Sequence, residues 1–307
     1  MQRASVFIIG IAVLVVAAII GFLLFSGAPE EPAASASASA SAEPTASATL
    51  NAELMDRRWT VLYVGLDLNE RREAEGQTGN TDALMLVSLS ADQSELTLVS
   101  LPRDTVDVPL ADGSTYPRKI NGLHAEQGME ALVGAMEALY EIEIDGHLLL
   151  DMDDVAALVD AVDGVEVSLD EPLRDPIVNL NLEPGTHTLE ASQALGYVRT
   201  RVDKDYGRMG RQQEVIVELV RRLVDPETEV DLAALIEGLD SLETDLPLDQ
   251  LPTLVELARR AADADVNGLV IDPPLITFEG DRGDGRGYIL EPDVEAIRAE
   301  VQELIRE

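Results

Sequence analysis

The chain has 307 residues, 46% of them hydrophobic, and carries 22 Lys plus Arg against 58 Asp plus Glu, a formal charge of −36. That length is enough for one large domain or two small ones with a substantial core. The charge argues against nucleic acid as a partner and against broad adsorption to anionic lipid, since both need a basic footprint. The absence of cysteine rules out disulfides and thiolate metal sites, and His124, His147 and His187 lie too far apart in sequence to suggest a ligand set.

Val6 to Phe25 is an uncharged apolar run of twenty residues. As a helix it would span about 30 Å, the thickness of a bilayer's hydrocarbon core. The apolar core of a cleaved signal peptide is shorter, about 7–15 residues, so the run reads as an uncleaved anchor. Arg3 before it and Glu30 and Glu31 after it place the N-terminus in the cytoplasm and the rest outside. The Ala/Ser/Pro-rich segment that follows cannot bury enough apolar surface to offset its ordering entropy, so it reads as a flexible stalk. The expected organisation is a tip and transmembrane anchor over residues 1–26, a disordered stalk over 27–56, and an extracytoplasmic domain over 57–307.

Thr60 to Asp67 reads as a buried strand ending in a carboxylate, followed by a polar loop over residues 68–80. Ala83–Ser90 and Glu95–Leu101 are β-prone runs joined by four residues, a hairpin spacing. Asp67 and Asp82 therefore flank one loop and reach the same sheet edge if the first two strands are neighbours. Apolar residues then recur at helical spacing through Met129, Leu132, Val133, Met136 and Leu139, and again through Val155, Leu158, Val159 and Val162. His147–Leu150 reads as a short strand between these helices, Val165–Leu169 as another strand, and residues 170–188 as loop. Ala191–Tyr197 predicts a short helix. Ile216, Leu219, Val220 and Leu223 mark the apolar face of a longer one beginning near Gly207. Further helices are expected at Leu232–Leu242, Leu251–Ala261 and Asp293–Ile305, with a strand near Leu269–Ile271. Residues 279–287 read as a flexible loop that lacks calcium-loop spacing. Strands alternating with helices give α/β: a mixed sheet flanked by helices, behind one N-terminal transmembrane helix.

One stretch stands out against the acidic background. Arg199, Arg201, Lys204, Arg208 and Arg211 fall within thirteen residues. Guanidinium groups match phosphate oxygens, so the stretch reads either as an anion site or as a solvated helix face paired with nearby carboxylates. Three further signals accompany it. Ser100-Leu-Pro-Arg-Asp-Thr105 breaks a strand at its proline and puts Arg103 and Asp104 at the sheet end. Asp67 and Asp82 suit a hard divalent ion such as Mg²⁺ (or Mn²⁺), which takes its other ligands from water and substrate phosphates. Lys119-Ile-Asn121 supplies a cation and an amide ahead of a helix.

The order SLPRDT, KIN and YVRTR…DYGRMGRQQ, behind a single N-terminal anchor, resembles the LytR-CpsA-Psr family. VGLD and NTDALMLVS match the family's opening. The resemblance runs from about Thr60 to Val224, with a weaker echo in DGRGYILEPD. It implies a membrane-anchored extracytoplasmic phosphotransferase that moves a glycopolymer from a polyprenyl-diphosphate carrier to a peptidoglycan hydroxyl, assisted by Mg²⁺, with an apolar pocket for the lipid tail. It also implies Asp67 and Asp82 at the metal, and Arg103, Lys119, Arg199, Arg201, Arg208, Arg211 and Gln212 at the diphosphate. Arg211 has a second reading, holding the motif together through acidic neighbours. Asp205 and Asp104 are the candidates for the base that takes the acceptor proton, each with the alternative of orienting an arginine. The chain departs from the family at Asn69 and Asn80, where many members carry basic residues; Arg71 or Arg72 could substitute. Alternatives are a polyprenyl-diphosphate hydrolase and a non-catalytic polyprenyl-phosphate-binding envelope protein.

Overall fold

The computed structural model describes residues 50–305 apart from 69–73, 75–78, 232–233 and 236–241. The expected membrane anchor and most of the expected stalk lie outside the described residues, as do Asn69, Arg71, Arg72 and most of the helix expected at Leu232–Leu242. No described helix is long and apolar enough to cross a membrane.

The organising element is a six-stranded mixed sheet in the order β11-β6-β1-β2-β3-β12. Its strands are β1 (Trp59–Leu66), β2 (Thr81–Leu89), β3 (Glu95–Ser100), β6 (Gly146–Leu150), β11 (Glu243–Thr244) and β12 (Asp265–Val270). The β1–β2–β3 meander is antiparallel, β6 runs parallel to β1, and β12 runs parallel to β3. Because strand side chains alternate between faces, β2 divides its apolar residues. Ala83, Met85 and Leu89 enter one core, and Leu84 and Leu86 enter the other. Both faces are thus covered, which explains the near-continuous hydrophobic reading of these strands.

On the first face lie α4 (Met152–Ala161), α5 (Ala191–Arg199), α6 (Lys204–Val224) and α7 (Leu251–Asp263). On the second lie α2 (Leu123–Gln127), α3 (Met129–Tyr140) and α8 (Val294–Ile305). Helix α4 starts on a capping box, with Asp151 accepting from the Asp153 and Asp154 backbones while Asp154 accepts from the Asp151 N–H. Four two-stranded ribbons decorate this sandwich: β4 (Val108–Pro109) with β5 (Thr115–Tyr116), β7 (Val165–Leu169) with β10 (Gly185–Leu189), β8 (Leu173–Asp175) with β9 (Leu180–Leu182), and β13 (Ile276–Asp281) with β14 (Tyr288–Pro292).

Several expectations change. The ordered domain begins before residue 57: Asn51 caps a short helix α1 (Ala52–Met55), Met55 is buried, and the Trp59 indole donates to the Leu54 carbonyl at 2.7 Å. Leu54 and Met55 give this short segment apolar side chains to bury, which the Ala/Ser repeat lacks. Residues 170–188 carry β8, β9 and most of β10, whose three- to five-residue strands are too short for a period to emerge from Pro- and Asn-rich sequence. Glu279 to Gly287 opens with the last three residues of β13, and the loop beyond them is tied down by Arg286, which donates to Asp107 and Asp284. Gly164 terminates the α4 turn at φ +94°, where an added Cβ would lie 2.9 Å from the Leu189 carbonyl oxygen. Gly164→Ala is expected to cost roughly 1–2 kcal/mol, read as a lower urea midpoint at unchanged slope.

Candidate functional site

The site forms at the end of the sheet where β1 and β2 meet. Pairing there is irregular: Gly65 faces Ala83 and Leu66 faces Thr81, which leaves Asp82 as the extra residue of a bulge. A bulge re-aims one side chain without disturbing the rest of the ladder. Here it brings Asp82 to the same cavity that Ala83 lines on the first face. Asp67 stands across the same edge, its backbone N–H donating to the Asn80 carbonyl at 3.0 Å.

Three arginines converge on Asp82. Arg103 Nη1 donates to its Oδ1, and Arg208 Nη1 and Arg201 Nη2 lie 3.6 and 3.7 Å from its Oδ2. Asp205 holds the other side of the last two, 3.0 Å from Arg208 Nη2 and 3.4 Å from Arg201 Nε. Arg208 is 2% exposed. Its Nε and that of Arg103 are buried with no hydrogen-bond partner. Burial draws the Arg208 guanidinium below its ordinary pKa, and Arg201 and Arg103 add to this against the pull of Asp205 and Asp82. At Arg103 burial also opposes the charge, but Asp82, Asp104 and Asp205 outweigh it and raise the pKa. Buried cations crowded together with unspent donors gain from an incoming anion.

The three sequence motifs are stitched into one frame. The Ile120 N–H donates to the Thr105 carbonyl at 2.8 Å and the Asn121 N–H to the Arg103 carbonyl at 3.2 Å, so the Lys119–Asn121 turn fixes the arginine's backbone. Lys119 Nζ lies 3.0 Å from Asp104 Oδ1. Gln213 on α6 donates to the Ser100 hydroxyl at 2.9 Å and to the Leu269 carbonyl at 3.1 Å. Strand β14 joins through Leu290, which donates to the Asp104 carbonyl and accepts from Val106. That accounts for the isolated echo at Asp284–Asp293 in the sequence.

An apolar cavity of about 70 Å³ opens beside the cluster. Asp82, Arg199 and Arg208 are at its polar end. Leu150, Val155, Leu195, Val198, Val215 and Ile216 contribute to the rest, with Gln212 among the lining residues. Arg199 is exposed rather than drawn into the ion-pair cluster.

Arg211 belongs elsewhere. It is buried, and its donors go to the Tyr197 carbonyl at 2.9 Å, the Thr200 carbonyl at 2.6 Å and the Asp203 carboxylate at 2.6 and 3.0 Å. The diphosphate reading of this residue gives way to the bracing one, because every donor nitrogen is already committed to the turn between α5 and α6. Sequence order alone could not separate Arg208 from Arg211, since both lie on α6 at spacings compatible with either role. The residues that sequence reasoning missed are Gln213 and Tyr197. The signal for Gln213 was the second Gln of the RQQ run.

The histidines form no site. His147 is buried with Nδ1 3.0 Å from Asp245 Oδ1, and His187 contacts the Glu183 carbonyl. Burial lowers the pKa of the half-buried His124. Among the described residues no group of three or more His, Cys, Asp or Glu is arranged to hold a metal by itself.

The sequence and the fold have known counterparts. The family model described as the LytR_cpsA_psr family matches residues 25–297. The chain belongs to this family. Over 183 residues it is 31% identical to Biofilm regulatory protein A of Streptococcus mutans, covering 55% of this chain and 45% of that protein. Over 247 residues it is 27% identical to the polyisoprenyl-teichoic acid–peptidoglycan teichoic acid transferase TagU of Halalkalibacterium halodurans, covering 79% and 77%. The chain spans about half the length or less of several curated relatives it matches. Among solved structures, the family protein YwtF (TagT) with bound octaprenyl pyrophosphate lipid superposes with a TM-score of 0.59 at 21% identity, over 82% of this chain and 92% of that one. The mixed sheet flanked by helices is therefore the family fold.

Proposed function

We propose that the protein transfers a phosphate-linked glycopolymer from a polyprenyl-diphosphate carrier to a hydroxyl of peptidoglycan, outside the cell membrane. The observation that carries this reading is the convergence of Arg103, Arg201 and Arg208 on Asp82 at the mouth of an apolar cavity, with two buried guanidinium nitrogens still unpartnered. A diphosphate resists attack because its charge repels a nucleophile. Preorganised arginines neutralise those oxygens and stabilise the charge that develops during transfer. The acceptor oxygen attacks the phosphorus that bears the glycopolymer. The bond from that phosphorus to the bridging oxygen breaks, polyprenyl phosphate leaves, and the acceptor proton passes to a carboxylate. Asp205, held between Arg201 and Arg208, and Asp104, beside Lys119, are the carboxylates at hand. The teichoic acid transferase among the relatives and the octaprenyl pyrophosphate bound to a structural neighbour support the substrate class.

A divalent ion such as Mg²⁺ fits the donor set. Asp67 and Asp82 would hold it from one sheet edge, with diphosphate oxygens and water completing the shell; its contribution would be further charge neutralisation on the diphosphate. Asp82→Asn is expected to weaken Mn²⁺ retention in the presence of polyprenyl diphosphate, measured by the electron paramagnetic resonance signal of free Mn²⁺. Membrane attachment through residues 6–25, with the catalytic domain on the outer face, belongs to the same proposal.

Transfer is tested by incubating the protein with a polyprenyl-diphosphate-linked glycopolymer and soluble peptidoglycan strands. Polymer covalently joined to the strands supports the reading; free polymer phosphate alone, formed equally without acceptor, would make the protein a hydrolase. The tail pocket is tested separately. The cavity, at about 70 Å³, is under half of the roughly 150 Å³ that an engineered cavity uses to hold benzene, so its walls have to widen for a tail to enter. Val155→Phe fills this space from α4 and is expected to abolish co-purification of lipid while leaving the melting temperature within a few degrees of wild type.

A further inference from the structure

The cluster has a second rim, away from the apolar cavity. Tyr206 follows Asp205 on α6, and its hydroxyl donates to Glu279 Oε2 on β13 at 3.2 Å. Tyr288 on β14 donates to Glu279 Oε1, and Lys204 Nζ lies 3.8 Å from that same oxygen. Glu279 thus links α6 to the β13–β14 ribbon. The ribbon's placement is fixed, because Leu290, two residues beyond Tyr288, exchanges backbone hydrogen bonds with the Asp104–Val106 segment. Tyr288 is 49% exposed, one of few large apolar side chains so exposed among the described residues. The Asp104 and Asp205 charges both act on its hydroxyl. It therefore stands within electrostatic reach of the two carboxylates placed at the acceptor proton.

None of these residues has a part in the grip on the diphosphate. A solvent-facing ring fixed at its hydroxyl end costs little conformational entropy to use and offers a face to the C–H groups of a sugar ring. An ionised carboxylate has about four acceptor positions on two oxygens, and the tyrosines use one on each. The remaining positions suit sugar hydroxyl donors. The apolar cavity beside the cluster is lined from α6 by Arg208, Gln212, Val215 and Ile216, and Tyr206, Glu279 and Tyr288 are not among its lining residues.

We propose that Tyr288, Tyr206 and Glu279 form the subsite that binds the acceptor glycan and orients its hydroxyl toward the diphosphate, on the opposite side of the arginine cluster from the lipid. This rests on the transferase reading and adds to it the place where the acceptor sits. Tyr288 and Tyr206 act as positioning residues, since the reacting atoms lie beyond them.

The test uses the full-length protein in detergent with two readouts. In the first, soluble peptidoglycan glycan strands are titrated without lipid donor and followed by saturation-transfer NMR. In the second, transfer is measured with acceptor and donor varied in turn. Tyr288→Ala is expected to weaken strand binding and raise the acceptor KM by roughly three- to tenfold, with the donor KM unchanged. Tyr288→Phe keeps the ring and is expected to retain most of the affinity. An unchanged acceptor KM in Tyr288→Ala, with wild-type transfer intact, overturns the subsite and leaves the transferase reading standing. A rise in the donor KM instead also overturns it, because the sugar recognised there would belong to the carrier. Strand binding that is lost in Tyr288→Ala while wild type never transfers supports the subsite and removes the transferase reading.

Discussion

Arg208→Ala is expected to reduce glycopolymer transfer by about 10³-fold or more, the range for an arginine that stabilises a phosphoryl-transfer transition state, without unfolding the protein. Three features together mark this residue, the second of them shared with Arg103. It is the most deeply buried of the cluster at 2% exposure. Its Nε has no partner. Burial and neighbouring cations both disfavour its charge in the absence of an anion. Removal of the side chain leaves Asp82 with Arg103 and Arg201, and Asp205 with Arg201. The melting temperature should therefore move by only a few degrees, the equivalent of about 1 kcal/mol in a domain of this size. Arg208→Lys should fail almost as badly, because a point charge cannot reproduce the fork that addresses two oxygens at once. Transfer rates measured beside circular-dichroism melts check both statements. Retention of more than a tenth of wild-type activity in folded Arg208→Ala would sink the diphosphate assignment.

Much of this site is legible in the sequence, because its residues are concentrated in motifs. The clustering of arginines in an acidic chain points either to an anion site or to pairing with carboxylates, and Asp67 and Asp82 point to one sheet edge. The strands were legible for a related reason: a sheet buried on both faces writes itself as continuous apolar runs, as in β1 and β2. What escaped was anything set by irregularity or by distant partners. The bulge that turns Asp82 toward the cavity comes from a one-residue register shift, invisible to periodicity. The end of β13 falls within residues 279–287, which read as loop because a glycine-rich sequence carries no alternation; Gly280, Gly283, Gly285 and Gly287 adopt positive φ there. The place of the β13–β14 ribbon beside Asp104 depends on backbone hydrogen bonds across more than 180 residues, for which a single sequence holds no signal. The contrasting fates of Arg208 and Arg211 depend on which face of α6 meets the cavity, and that is fixed by packing.

Arg211→Met should be the converse of Arg208→Ala, a loss of fold with activity falling as its consequence. Methionine restores volume and apolar contact but no donors. The Tyr197 and Thr200 carbonyls would lose their partners in a buried setting, where each unsatisfied acceptor costs about 1–3 kcal/mol. Asp203 would lose its bidentate partner as well, but it is about half exposed and water can replace much of that interaction. The guanidinium also lies 5.6 Å from the centre of the Tyr197 ring, a cation–π contact that methionine does not reproduce. Together these place the loss at about 3 kcal/mol, a drop of roughly 6–12 °C in melting temperature. The turn between α5 and α6 carries Arg201 and follows Arg199, the last residue of α5, so local loosening disperses those cations before the whole domain melts. A chemical-denaturation series can separate the two arginines. Arg211→Met should lower the midpoint markedly, and its residual activity at low temperature should exceed that of Arg208→Ala, since the folded fraction still presents Arg103 and Arg208 on Asp82. Equal midpoints for the two variants, with activity abolished in Arg211→Met, would instead return Arg211 to the diphosphate.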